Sequence, residues 1–134
     1  MRHVLDTTTV SALMRSEAGP AKRLLALRPG DVVIPQPVLA EIRYGLARLP
    51  RSRRRSALED RLAVVLLGVS RTEWTDEVSR LFGELKATLE RRGARVDDFD
   101  VAIAAHALAL EASVVTENVR HFSRIPGLSV ESWA

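Results

Sequence analysis

Three short apolar runs, His3-Val4-Leu5, Val32-Val33-Ile34 and Ser113-Val114-Val115, each give way within a few residues to a stretch with helical spacing. Runs this short read as buried strands. Strands alternating with helices are joined as parallel β-α units with right-handed crossovers, which leaves helices on both faces of the sheet. The expected fold is therefore α/β, a single domain over residues 1–134. Its centre would be a mostly parallel, twisted sheet of about four or five short strands flanked by helices. Sheets of this kind gather their ligand sites along one edge, where strand carboxyl ends and helix amino ends converge.

The sequence between the strands supplies the helices. Behind Thr7, Thr8 and Thr9, which offer a cap, Val10, Leu13 and Met14 recur with helical spacing. Gly19-Pro20 is expected to break that helix, a second short one is expected over residues 21–27, and Pro29-Gly30 makes a turn. Pro37 suits a first helical turn, and Val38, Leu39, Ile42 and Leu46 form that helix's apolar stripe, with Glu41 on another face. Ala57, Leu58, Leu62, Val65 and Leu66 describe a further helix ending at Gly68, and Val69 reads as a brief strand. A long helix over residues 74–92 would turn Val78, Leu81, Phe82, Leu85 and Leu89 inward and stop at Gly93. From Asp100 to Leu110 hardly a polar residue occurs, so that helix should be buried on most sides. A short helix over residues 118–122 and an edge strand at Leu128-Ser129-Val130 complete the chain.

At 134 residues the chain is long enough to bury roughly two thirds of its unfolded surface without a partner. Its 46% hydrophobic and 28% charged residues fit a folded globule and exclude a disordered or fibrous chain. The absence of cysteine excludes disulfides, thiolate zinc sites and cysteine nucleophiles, and suits a reducing compartment, the cytoplasm. Asp6 interrupts the apolar start, unlike a signal peptide, and no apolar run is long enough to span a bilayer, so no membrane role is expected. Arginine dominates the net charge of +3 and is concentrated over residues 43–61. There Arg43, Arg48, Arg51, Arg53, Arg54 and Arg55 suit a phosphate backbone and a solvated inter-helix turn equally well, with no aromatic residues interleaved from Arg48 onward.

Four acids fall where a strand ends or a helix begins: Asp6, Glu41, Asp97 and Asp100. Converging carboxylates repel one another, and a hard divalent cation with oxygen ligands relieves that repulsion. For each acid a structural role competes. Asp6 is also a natural helix cap, Glu41 has Arg43 beside it for a surface pair, and Asp97 and Asp98 suit an ordinary acidic first turn. Asp100 stands at the mouth of the most apolar helix, where the positive helix end favours a negative charge.

The segments LDTTTVSALM, VLAEIRYGL, DVAIAAHALA and VVTENVRHFSRIPGLSVESW occur in the order seen in PIN-domain proteins. On these motifs the chain resembles the VapC-type toxins from its first strand to Trp133, with only residues 52–95 lacking a distinctive motif. The resemblance places the family's three acids on Asp6, Glu41 and Asp100. Thr8 stands where the family usually has Asn or Ser, and keeps a hydroxyl. Where a fourth acid is expected the chain has Asn118 and His121, which leaves Asp97, Glu117 and Asn118 as candidates for the remaining ligand.

What the resemblance implies is metal-dependent cleavage of RNA. Asp6, Glu41 and Asp100 would hold one or two Mg²⁺ or Mn²⁺ ions that activate water for in-line attack on a phosphodiester. Thr7, Thr8 and Thr116 would orient carboxylates or waters, and His121 would contact a phosphate or a softer metal. Single-stranded or loop RNA is the natural substrate. The resemblance further implies a toxin that inhibits translation or growth, a VapB-type antitoxin laid across the groove, operator DNA contacted only through that complex, and a homodimer. The stretch from Pro37 to Leu67 offers apolar and arginine faces for such a peptide. His106 and His3 read as core and sheet residues, and Trp74 and Trp133 as packing residues. A haloacid-dehalogenase-type phosphatase would need an acid where Thr8 stands, and a receiver domain's acidic pair is absent. The rival of a different class is a catalytically weak PIN-like domain that binds RNA or a protein partner without cutting.

Overall fold

The computed structural model describes residues 2–134. Its strands are β1 (His3–Leu5), β2 (Val32–Pro35), β3 (Ser70–Thr72), β4 (Ser113–Val115) and β5 (Val130–Glu131). They form one sheet in the order β3-β2-β1-β4-β5, with every neighbouring pair parallel. The central strands are apolar because helices cover both of their faces, so β1 and β4 are buried at every position. In register, His3 lies opposite Val32 on one side and Ser113 on the other, and Leu5 lies opposite Val115.

The helices are α1 (Thr7–Met14), α2 (Ala18–Leu25), α3 (Gln36–Ala47), α4 (Arg53–Gly68), α5 (Asp76–Arg91), α6 (Asp98–Ala109) and α7 (Val119–Phe122). Helix α6 is the centre of the core: Val101 to Ala107 are all buried, and α6 packs on α5, α3, β1 and β4. On α5 the stripe narrows, with Val78, Leu85 and Leu89 buried while Leu81 and Phe82 are half-buried against the core. No helix among the described residues is long and apolar enough to cross a membrane.

Several boundaries differ from the sequence expectation. The first helix stops at Met14 because Ser16 takes a left-handed φ of 58°, and Gly19-Pro20 sits inside the first turn of α2, where a proline lacks no hydrogen bond. The expected brief strand at Val69 is displaced to residues 70–72, with Val69 capping α4. Helix α5 begins after Thr75, whose hydroxyl accepts from the Val78 N–H, so Trp74 stands outside it. Helix α6 begins at Asp98, two residues before Asp100.

From β1 the chain runs to β2 and β3 on one side, whereas β4 and β5 lie on the other. The sheet therefore changes direction between β1 and β4, and a crevice opens beyond their carboxyl ends. Asp6 and Thr116 are the first residues past those two strands.

Candidate active site

Burying a carboxylate without partners is costly, and Asp6 is only 3% exposed. Three donors hold it. Its Oδ1 accepts from the Thr8 hydroxyl at 2.7 Å and from the Thr9 N–H at 3.0 Å, and its Oδ2 accepts from the Thr116 hydroxyl at 2.6 Å. The Thr9 contact makes Asp6 the N-cap of α1, a role the sequence assigned as readily to Thr7, Thr8 and Thr9. Two hydroxyls also accept from the loop after β4, that of Thr116 within the loop and that of Thr8 from across the crevice. Thr116 accepts from the Asn118 N–H at 2.9 Å, and Thr8 accepts from the Glu117 N–H at 3.0 Å.

Glu41 reaches this edge from α3 and accepts from the Thr7 hydroxyl at 2.6 Å, instead of pairing with the exposed Arg43. Asp100, one turn into α6, accepts from His121 Nε2 at 2.9 Å. Arg124 donates to the other ring nitrogen of His121 at 2.9 Å. A guanidinium has donors only, so Nδ1 accepts and the ring proton sits on Nε2, facing Asp100. Arg124 is a site residue that sequence reading missed: it lies in the turn just past α7, three residues after His121, and no helical spacing marks it.

The acids act on one another. Burial pushes the Glu41 carboxyl above its ordinary 4.5; the Thr7 hydrogen bond opposes this, and the charges of Asp100, Asp97 and Asp6 add to it. Burial also raises Asp100 above its ordinary 3.8, opposed by the His121 hydrogen bond and, when that ring is protonated, its charge, and reinforced by Asp97 and Asp6. Asp97 thus belongs to the same negative field, although as the N-cap residue of α6 its side chain bonds no backbone N–H. Asp98 leaves the cluster and pairs with Lys86 at 3.1 Å. None of Asp6, Glu41, Asp97 and Asp100 pairs with a lysine or arginine among the described residues.

The oxygen donors and surplus negative charge fit a hard divalent cation. The spacing is wider than a closed cage, since among the described residues no three histidine or acidic side chains converge tightly enough to grip a bare ion. A divalent ion held there would keep several of its waters as ligands. Asn118 is exposed at the start of α7, and its side chain caps nothing.

The other expected residues divide. His3 and Trp133 are buried in the core, His3 bonding Glu131. His106 is buried, with Nδ1 bonded to the Ala102 carbonyl at 2.8 Å. Burial lowers its pKa below 6.5, opposed by the Ala102 and Glu73 carbonyls; Nε2 nonetheless lacks an aligned partner, so the Glu73 contact is not a hydrogen bond. Trp74 is more exposed than a packing residue should be, resting its ring on Phe82 and His106. Arg53, Arg54 and Arg55 are not in a turn but in the first turn of α4, against the dipole preference. Ser52 caps that turn, and Arg55 is used structurally, donating to the Leu49 carbonyl at 3.1 Å and pairing with Glu59. Arg48 lies over the Tyr44 ring, while Arg43, Arg51, Arg53 and Arg54 are exposed.

The PIN domain family model matches residues 3–128. The chain is 32% identical over 136 residues to the tRNA(fMet)-specific endonuclease VapC of Salmonella typhimurium, covering 99% of this chain and 98% of that one. It is 31% identical over 109 residues to ribonuclease VapC2 of Rickettsia felis, covering 81% of this chain and 79% of the relative. In three dimensions it superposes on VapBC2 of Rickettsia felis bound to a promoter DNA fragment, with a TM-score of 0.89, 28% identity and full coverage of both chains. The DNA-bound VapBC of Salmonella typhimurium gives a TM-score of 0.84 with 28% identity, covering 100% of this chain and 99% of that one. With a family model spanning nearly its whole length and close relatives matched from end to end, the chain belongs to the PIN-domain family, among its VapC-type members.

Proposed function

We propose that the chain is the toxin of a toxin-antitoxin pair, an endoribonuclease that uses Mg²⁺ or Mn²⁺ to hydrolyse RNA phosphodiester bonds. The carrying observation is the group of four carboxylates, unneutralised by lysine or arginine, at the crevice where the sheet changes direction. Asp6, Glu41 and Asp100 would hold the ion, with Asp97 adding charge from the helix end. When bound, the ion supplies a water acidic enough to attack at neutral pH and offsets charge on the phosphate. The chain's own hydroxyls do the positioning: Thr8 and Thr116 fix the plane of the Asp6 carboxylate, and Thr7 fixes that of Glu41. His121 holds Asp100 and is itself held by Arg124, whose guanidinium would offer a cation to an incoming phosphate backbone.

Relatives named ribonuclease and tRNA(fMet)-specific endonuclease favour turnover over a binding-only role. The similar VapBC structures bound to DNA support a VapB-type antitoxin as partner, with promoter DNA reached through that complex. The exposed apolar residues Val64 and Leu67 on α4 suit contact with such a partner or with a second copy in a homodimer.

Purified protein incubated with total cellular RNA in Mg²⁺, Mn²⁺ and EDTA tests this. Discrete fragments are expected only with metal, and Asp6→Asn or Asp100→Asn should lower the rate by about 100-fold or more. Cleavage that persists in EDTA, or that Asp100→Asn leaves intact, overturns the reading.

A further inference from the structure

We propose that Tyr44 and Phe99 form a stacking subsite for a base next to the scissile phosphate of single-stranded RNA. This rests on the ribonuclease reading above and adds what recognises the nucleotide. The chain has six aromatic residues, and only Tyr44, Trp74 and Phe99 among them are exposed, at 64%, 45% and 43%. Single exposed rings need no explanation, but rings gathered beside a reactive centre do. Tyr44 and Phe99 come from different helices and line one open groove of about 530 Å³ together with Thr7, Ala40 and Glu41.

The groove reaches the acid group through Glu41, which lines it. Glu41 and Tyr44 are three residues apart on α3 and so share a face, with an axial offset of about 4.5 Å. Phe99 directly precedes Asp100. A phosphate held beside Glu41 would have its neighbouring base within the groove that the two rings line. The Arg48 guanidinium lies 5.4 Å from the Tyr44 ring centroid, placing a cation for the next phosphate against the same aromatic. Most of the exposed lining is apolar, as stacking rings require, and the carboxylate of Glu41 in that lining with the Arg48 cation against Tyr44 favours a nucleotide over an apolar peptide. A base, with its π face and polar edge, matches two rings beside a carboxylate and a hydroxyl. A larger cleft of about 650 Å³ between α5 and α6 holds none of the three acids and does not compete for this role.

The test uses short single-stranded RNAs containing the mapped cleavage site, intact or with the base removed on either side of it. Wild-type protein should lose about tenfold in kcat/KM on one of the two abasic RNAs, mainly through KM. Tyr44→Ala and Phe99→Leu should lower kcat/KM about tenfold on intact RNA and no longer distinguish it from that abasic RNA, and Tyr44→Phe should restore the distinction. Binding gives a second readout: 2-aminopurine at that position should be quenched by the Asp100→Asn protein but not by Asp100→Asn/Tyr44→Ala. Undiminished abasic discrimination in Tyr44→Ala and Phe99→Leu overturns the inference. So do variants that change only the sedimentation mass or the binding of an antitoxin peptide, since the rings then face another protein. Failure of wild-type protein to cleave any RNA overturns the ribonuclease reading instead.

Discussion

Asp6 shows how one residue satisfies two demands that look exclusive in the sequence. As the N-cap of α1 it bonds the Thr9 N–H through Oδ1, and as a site acid it faces the crevice with both oxygens oriented by hydroxyls. Capping fixes the carboxylate at the same helix end whose dipole favours its charge. His106 presents the opposite case, a titratable group with no role in the site. Its pKa is lowered by burial, so the unfolded chain binds a proton more readily than the folded one. Stability held above the ordinary value of 6.5 is then lost as pH falls through it towards the lower folded value. Denaturant midpoints between pH 7.5 and 5 should show the wild type losing stability with a slope of up to about 1.4 kcal/mol per pH unit. His106→Leu should flatten that slope; an unchanged slope would assign the proton to another group.

At the scale of elements, the clearest consequences belong to glycines whose surroundings differ. Gly19 lies in the first turn of α2, and a Cβ there would meet the Trp133 carbonyl oxygen at 2.7 Å. Gly83 lies within α5 with open space around it. Gly19→Ala should therefore destabilise by about 1–2 kcal/mol through forced displacement of the tail backbone, whereas Gly83→Ala should stabilise by about 0.5–1 kcal/mol by reducing unfolded-state freedom. Thermal melts of both variants check the opposite signs. The same contrast explains why element ends were the least legible part of the sequence. Gly93 was expected to stop α5, and it does so with a φ of 68°. Gly19-Pro20 looked like a stop and proved to be a start, because the actual break is made by Ser16, a residue with no compositional mark of a left-handed turn.

For the whole molecule, the separated acids mean that binding of a divalent ion should report on all of them together. Anything that binds the folded state alone raises its stability, by about 2.7 kcal/mol at a hundredfold excess over Kd. Saturating Mg²⁺ or Mn²⁺ should raise the melting temperature relative to EDTA by several degrees, and Asp6→Asn should abolish the rise. In EDTA the same substitution removes one source of the repulsion that raises Glu41 and Asp100, so it should not leave those two acids as strained as in the wild type. A metal-dependent rise undiminished by Asp6→Asn would place the ion elsewhere. The period-2 and period-3.6 patterns and the turn residues lie within a few positions of one another along the chain, so the α/β class, nearly every helix and strand, and the placement of Asp6 and Asp100 at helix starts follow from the sequence alone, whereas Glu41, expected at an element end, lies in the middle of α3 and reaches the site from that helix's side. The tertiary structure alone decided what crosses between elements. It set the order β3-β2-β1-β4-β5, bridged Asp6 to Thr116 over 110 positions, put His121 on Asp100, and brought Tyr44 and Phe99 to one groove. The reason is that those contacts depend on how the crossovers stack the strands, and no local periodicity encodes a distance between segments that meet only after the sheet has formed.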